Sequence, residues 1–169
     1  MTTLEEALKT ALRYEARIRD LYREAADGTQ DPKGKQVFQA LADDEQRHID
    51  YLEAKQTQWH EEGRITPDSL TSLIPAPALF AAQLQDLKQT MAREDRGDEK
   101  RMLSKALQVE VETSAFYRQL VGKMTGDARA MFARFQEIED GHIAAVQAEL
   151  DYISHTGFWF DFQEFDMEH

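Results

Sequence analysis

The sequence predicts an all-α protein, a four-helix bundle of two helical hairpins joined by a long crossover. Three observations carry that prediction. The 169 residues include only 4 Pro and 8 Gly, so long stretches run without a breaker. Apolar residues recur at helical spacing over four of those stretches. The two halves of the chain also repeat one another in their Glu and His residues. The length suits one domain: a bundle over residues 1–155, with its crossover at about 63–97, and an aromatic tail over 156–169. A hydrophobic share of 41% is enough if the apolar residues form one stripe on each helix.

The first helix is expected from Thr2 or Thr3 to about Asp27. Leu4, Leu8, Ala11, Leu12, Glu15, Ile18 and Tyr22 fall on one of its faces. The turn formers of Asp27-Gly28-Thr29-Gln30-Asp31-Pro32-Lys33-Gly34 end it. The second helix runs from about Pro32 to Glu62, with Val37, Phe38, Leu41, Ile49 and Leu52 as its stripe and Gly63 as its stop. From Gly63 to about Arg96 the pattern weakens. Thr66-Pro67-Asp68 reads as a cap followed by Pro at a first helical position. Pro75 and Pro77 break the chain, and Ala78 to Met91 forms a shorter helix within the crossover.

The third helix starts near Asp98 and ends near Met124. Thr125-Gly126-Asp127 is a turn with Asp127 as N-cap, and the fourth helix runs from about Ala128 to Ser154. In the tail, Phe158, Phe160 and Phe162 alternate. The expectation is packing over the bundle or across a homodimer; the alternative is a partner-binding patch.

Composition removes several function classes. A formal net charge of −12 repels phosphate backbones and argues against nucleic acid as a partner. The absence of Cys excludes disulfides, thiolate chemistry and cysteine-held iron. The N-terminal stretch is charged throughout, unlike a signal peptide. No stretch approaches the roughly 18 apolar residues of a membrane span. The expectation is a cytoplasmic protein that does not engage a membrane.

The repeat carries the chemistry. Ala11-Leu12-Arg13-Tyr14-Glu15 lies over Ala106-Leu107-Gln108-Val109-Glu110 at an offset of 95, which also pairs Tyr22 with Tyr117. At an offset of 94, Phe38 pairs with Phe132, Glu45 with Glu139, His48 with His142 and Ile49 with Ile143. Each half is then a hairpin with Glu on its first helix and Glu-x-x-His on its second. The midpoint of Glu15 and Glu45 is residue 30, inside the first turn, and that of Glu110 and Glu139 falls at the second turn. Each Glu therefore faces its Glu-x-x-His partner, about 22 Å from the turn. Glu and His at i and i+3 share a helix face, so docking the hairpins gathers four carboxylates and two imidazoles at one level.

Four carboxylates buried together need compensation, because each uncompensated ion costs about several kcal/mol. Two divalent cations supply it. Carboxylate oxygen with imidazole nitrogen suits Fe, Mn or Zn. A Glu from each of two helices with Glu-x-x-His from each of the other two is a dinuclear donor set. The alternative is a plain bundle with exposed Glu–His pairs.

On these residues the chain resembles the rubrerythrin-type members of the ferritin-like di-iron superfamily. The resemblance runs from about Ala11 to Ile153. It rests on Glu15, Glu45-Gln46-Arg47-His48, Glu110 and Glu139-Asp140-Gly141-His142, with Ser114-Ala115-Phe116-Tyr117 also similar. It implies two irons per chain, with Mn or Zn as alternatives, that react with peroxide or dioxygen, often in oxidative-stress defence. It further implies Glu45 and Glu139 as bridging ligands, His48 and His142 as caps on one metal each, and Glu15 and Glu110 as terminal ligands. Two departures stand out. Members of the family typically carry a second carboxylate three residues after the third-helix Glu, where this chain has Thr113. Rubrerythrins also commonly carry a four-Cys rubredoxin domain, so the electron donor here is expected to be external.

Tyr22 and Tyr117, seven residues after Glu15 and Glu110, either serve a ligand carboxylate or a proton or electron relay, or are plain core tyrosines. Asp44 is in reach of His142 as an acceptor, though a solvated Asp is the expected reading. Glu112, His60, His155 and His169 are expected at the surface. The leading reading is a di-iron oxidoreductase, probed against two rivals: a ferroxidase or iron-handling protein, and a non-enzymatic bundle held together by metal.

Overall fold

The computed structural model describes residues 3–74, 97–156 and Trp159. The expected helix over Ala78 to Met91, the breaks at Pro75 and Pro77, the tail phenylalanines and His169 lie outside them. The described residues form four helices and no strand.

Helix α1 spans Leu4–Gly28. The Glu6 amide donates to Thr3 Oγ1 at 3.1 Å and the Thr3 amide to Glu6 Oε2 at 3.0 Å, a reciprocal cap that contributes about 1 kcal/mol. Helix α2 spans Pro32–Glu62; Asp31 caps it and Pro32 fills a position whose amide would have no partner. Gly63 ends it at φ 69°, a left-handed conformation open to glycine, with its N–H on the Trp59 carbonyl at 2.9 Å.

Helices α3 and α4 span Gly97–Lys123 and Gly126–Thr156. Gly126, at φ 61°, reverses the chain and opens α4 two residues earlier than expected. Asp127 therefore sits inside the first turn, where its charge meets the positive helix end, and does not act as the cap.

Thr66-Pro67-Asp68 opens no helix, contrary to the sequence expectation. Residues 64–74 run irregularly back along α2. The side chains that would cap are committed elsewhere: Gln58 Nε2 donates to Thr66 Oγ1 at 3.2 Å, and Asp68 pairs with the buried Lys55. Tyr51 also donates to the Asp68 carbonyl at 2.7 Å.

Helices α1 and α2 pack as one hairpin and α3 and α4 as the other, with α1 against α3. Two apolar clusters result. One holds Tyr22, Phe38, Leu41, Leu103 and Val146; the other holds Leu8, Leu52, Tyr117, Phe132 and Phe135. Full burial of each such Leu or Phe contributes about 1.5–3 kcal/mol. The two clusters thus carry the bundle and leave room for a polar layer between them. Trp159 closes one end. Its ring meets Phe38 edge-on at 5.2 Å and its Nε1 donates to Glu99 Oε2 at 3.1 Å. A Cβ at Gly34 would come within 2.5 Å of that indole, so the close approach requires glycine.

Candidate metal centre

Glu15, Glu45, His48, Glu110, Glu139 and His142 are all fully buried, and the fold brings all six together. His48 Nδ1 lies 3.5 Å from Glu15 Oε2, 3.3 Å from Glu45 Oε2 and 3.4 Å from Glu139 Oε1. His142 Nδ1 lies 2.7 Å from Glu45 Oε1, 3.3 Å from Glu110 Oε1 and 3.5 Å from Glu139 Oε2. The imidazoles stack with centroids 5.5 Å apart at 9°. Two groups of four donors follow: Glu15, Glu45, His48 and Glu139, and Glu45, Glu110, Glu139 and His142. Within each group the donor atoms lie within 4.8 Å of one another. Glu45 and Glu139 belong to both.

The residues around the cluster divide clearly. Tyr22 donates to Glu110 Oε1 at 2.7 Å, and Tyr117 donates to Glu15 Oε1 at 2.6 Å. Both are core residues whose hydroxyls serve carboxylates of the cluster. Asp44 is the correction: it is fully buried, not solvated, and its Oδ2 lies 2.6 Å from His142 Nε2. Ser72 Oγ and the Leu73 amide each donate to it at 2.7 Å. The crossover therefore supplies the partners that make its burial tolerable. Those partners come from a stretch without periodicity. The available signal was Asp44 standing one turn before His48 on the same face.

Thr113 is buried, and its hydroxyl is committed to the Val109 carbonyl at 2.8 Å. Ser114 donates to Asp140. Glu112 is exposed and pairs with Arg17 at 3.1 Å. His60 and His155 are at the surface, His60 beside Glu5 at 3.1 Å.

Charge is distributed unevenly over the cluster. Burial, then the charges of Glu15 and Glu110, push the Glu45 carboxyl well up. Burial, then Glu110 and Glu15, do the same to Glu139. Burial also pushes Glu15 up, but the neighbouring Glu45 carboxyl and the charge of His48 outweigh it and hold Glu15 at about 2. Glu110 is lowered likewise, with Glu139 and His142 outweighing burial. Burial pulls both imidazoles down, yet the surrounding carboxylates raise them well above the usual histidine value.

Even so, Glu15 Oε2, Glu45 Oε2, Glu110 Oε2, both oxygens of Glu139 and both nitrogens of His48 have no hydrogen-bond partner among the described residues. Buried acceptors left unpaired cost about 1–3 kcal/mol each, and here they converge on one level. Oxygen and nitrogen donors converging in a dry core fit first-row divalent cations. No helix among the described residues is long and apolar enough to cross a membrane.

A family model described as Rubrerythrin matches residues 2–97. No curated protein and no solved structure matches the chain.

Proposed function

The chain belongs to the rubrerythrin family, and from that premise we propose that it binds two iron ions and acts as an oxidoreductase on peroxide or dioxygen in oxidative-stress defence. The observation that carries this reading is the pair of donor groups sharing Glu45 and Glu139. Glu15 and His48 would complete one ion's set, and Glu110 and His142 the other's. Mn or Zn would satisfy the same donors; the need for a redox couple sets Zn aside, and iron is preferred to Mn on the family resemblance.

Bound iron would supply reversible electron transfer to the oxidant, with electrons replenished by an external donor. The chain's own residues do the rest. The apolar clusters on either side exclude water, which strengthens every charge interaction within the layer. Tyr22 and Tyr117 hold Glu110 and Glu15 in place and stand as candidate proton relays. Their phenols are pushed well above the usual tyrosine value by burial and then by those carboxylates, so each keeps its proton as a donor.

The test is anaerobic ferrous loading followed by mixing with peroxide or dioxygen in the presence of a reductant. Catalytic peroxide consumption supports the reading. Oxygen uptake that only accumulates ferric iron would replace it with iron handling. Inert metal that only raises the melting temperature would make the centre structural.

A further inference from the structure

Granting the two-ion reading above, we propose that the two metal positions are unequal, and that Asp44 makes the His142 position the tighter one. The repeat makes the difference visible. Most of the centre obeys it: Glu15 matches Glu110, Glu45 matches Glu139, His48 matches His142, and the two tyrosine-to-glutamate bonds match at 2.7 and 2.6 Å. The position four residues before each His breaks it. One half has Asp44; at the same offset of 94 the other has Ile138, which is buried and apolar.

The break reaches the imidazoles. Both direct Nδ1 at the carboxylate cluster, which leaves Nε2 to an outer partner. His142 Nε2 has Asp44 Oδ2 at 2.6 Å. His48 Nε2 is 3.7 Å from that same oxygen, beyond hydrogen-bond range, and has no hydrogen-bond partner among the described residues. Asp44 is itself fixed by Ser72 and the Leu73 amide and attracted by Arg47 at 3.9 Å. A carboxylate behind a metal-bound imidazole fixes its tautomer and orientation and makes the inner nitrogen a stronger donor. Asp44 is thus a positioning residue for one ion only. Loss of such a partner lowers metal affinity by about 10- to 100-fold.

The test is an anaerobic titration of the metal-free full chain with Co2+, followed by visible absorption and calorimetry. The wild type should bind two ions in resolved steps, with His142→Gln removing the tighter step and His48→Gln the weaker. Asp44→Asn should weaken the tighter step by about 10- to 100-fold, shift that ion's absorption bands and leave the other step unchanged. Two steps of equal affinity in the wild type would overturn the proposal, as would an Asp44→Asn loss shared by both steps or absent from both. Uptake of one ion or none by the wild type would instead overturn the two-ion reading. Should Asp44→Asn lose its helical circular dichroism, Ile138→Asp decides: a tightened weaker step supports the proposal, and unchanged affinities overturn it.

Discussion

Tyr22 on α1 donates a 2.7 Å hydrogen bond to Glu110 on α3, so the two hairpins are tied through the buried polar layer as well as through apolar packing. Tyr117 returns the same bond to Glu15. Glu110 is held ionised, and a hydrogen bond to a charged group is worth about 1.5–3 kcal/mol. Tyr22→Phe should therefore destabilise the metal-free protein by about that amount, read from urea denaturation at neutral pH. Tyr117→Phe should do the same through Glu15. An unchanged midpoint in both variants would show that the bonds carry no net stability.

The pH dependence of the metal-free protein follows from which groups keep their protons. Glu45 and Glu139 are raised above 4.5, and His48 and His142 above 6.5. Their stabilising contribution is full below those unfolded values and is lost as pH rises towards the folded ones. Glu15 and Glu110 act oppositely: their contribution is present above 4.5 and lost as pH falls, for Glu15 through about 2. The melting temperature of the metal-free chain should peak at roughly pH 4.5, where the four carboxyls hold equal numbers of protons folded and unfolded, and decline towards pH 9. Metal affinity should rise over the same range, because an ion must displace those protons. A metal-free melting temperature that climbs from pH 6 to 9 would contradict the charge distribution.

Glu45→Gln with Glu139→Gln tests the strain directly. The amides imitate the neutral carboxyls and cannot ionise. At pH 8 the metal-free double variant should melt above the wild type and lose most of the alkaline decline, while metal binding disappears. Equal melting curves would mean that the two carboxyls carry no buried-charge penalty.

Thr113 bears on how far bound ions would move. Its hydroxyl is committed to Val109, and Glu112 points to Arg17 at the surface. No carboxylate is available one turn after Glu110 on the buried face of α3. Structures of the reduced and oxidised protein in one crystal form should therefore retain both His48 and His142 as ligands. An iron that exchanges its His for a carboxylate between the two states would refute this.

The bundle and the composition of the polar layer were legible because both rest on periodicity. Helical spacing placed Leu8, Phe38 and Leu52 in the core, and the offset between halves brought Glu15, Glu45, Glu110 and Glu139 to one level. Helix starts were less legible where backbone conformation decides: Gly126 opens α4 through a positive φ, which the identity of Asp127 did not reveal. Asp44 was misread as solvated because its partners, Ser72 and Leu73, lie in a segment with no regular pattern. Thr66-Pro67-Asp68 has the chemistry of a helix start, but contacts with Gln58, Tyr51 and Lys55 take its groups first.

The central claim is a dinuclear centre, and metal stoichiometry tests it most directly. Elemental analysis of the chain after anaerobic ferrous loading and removal of free metal should give close to two irons per chain, and none for the Glu45→Gln, Glu139→Gln variant. One iron per chain in the wild type, or iron retained in full by the double variant, would contradict the shared-carboxylate centre.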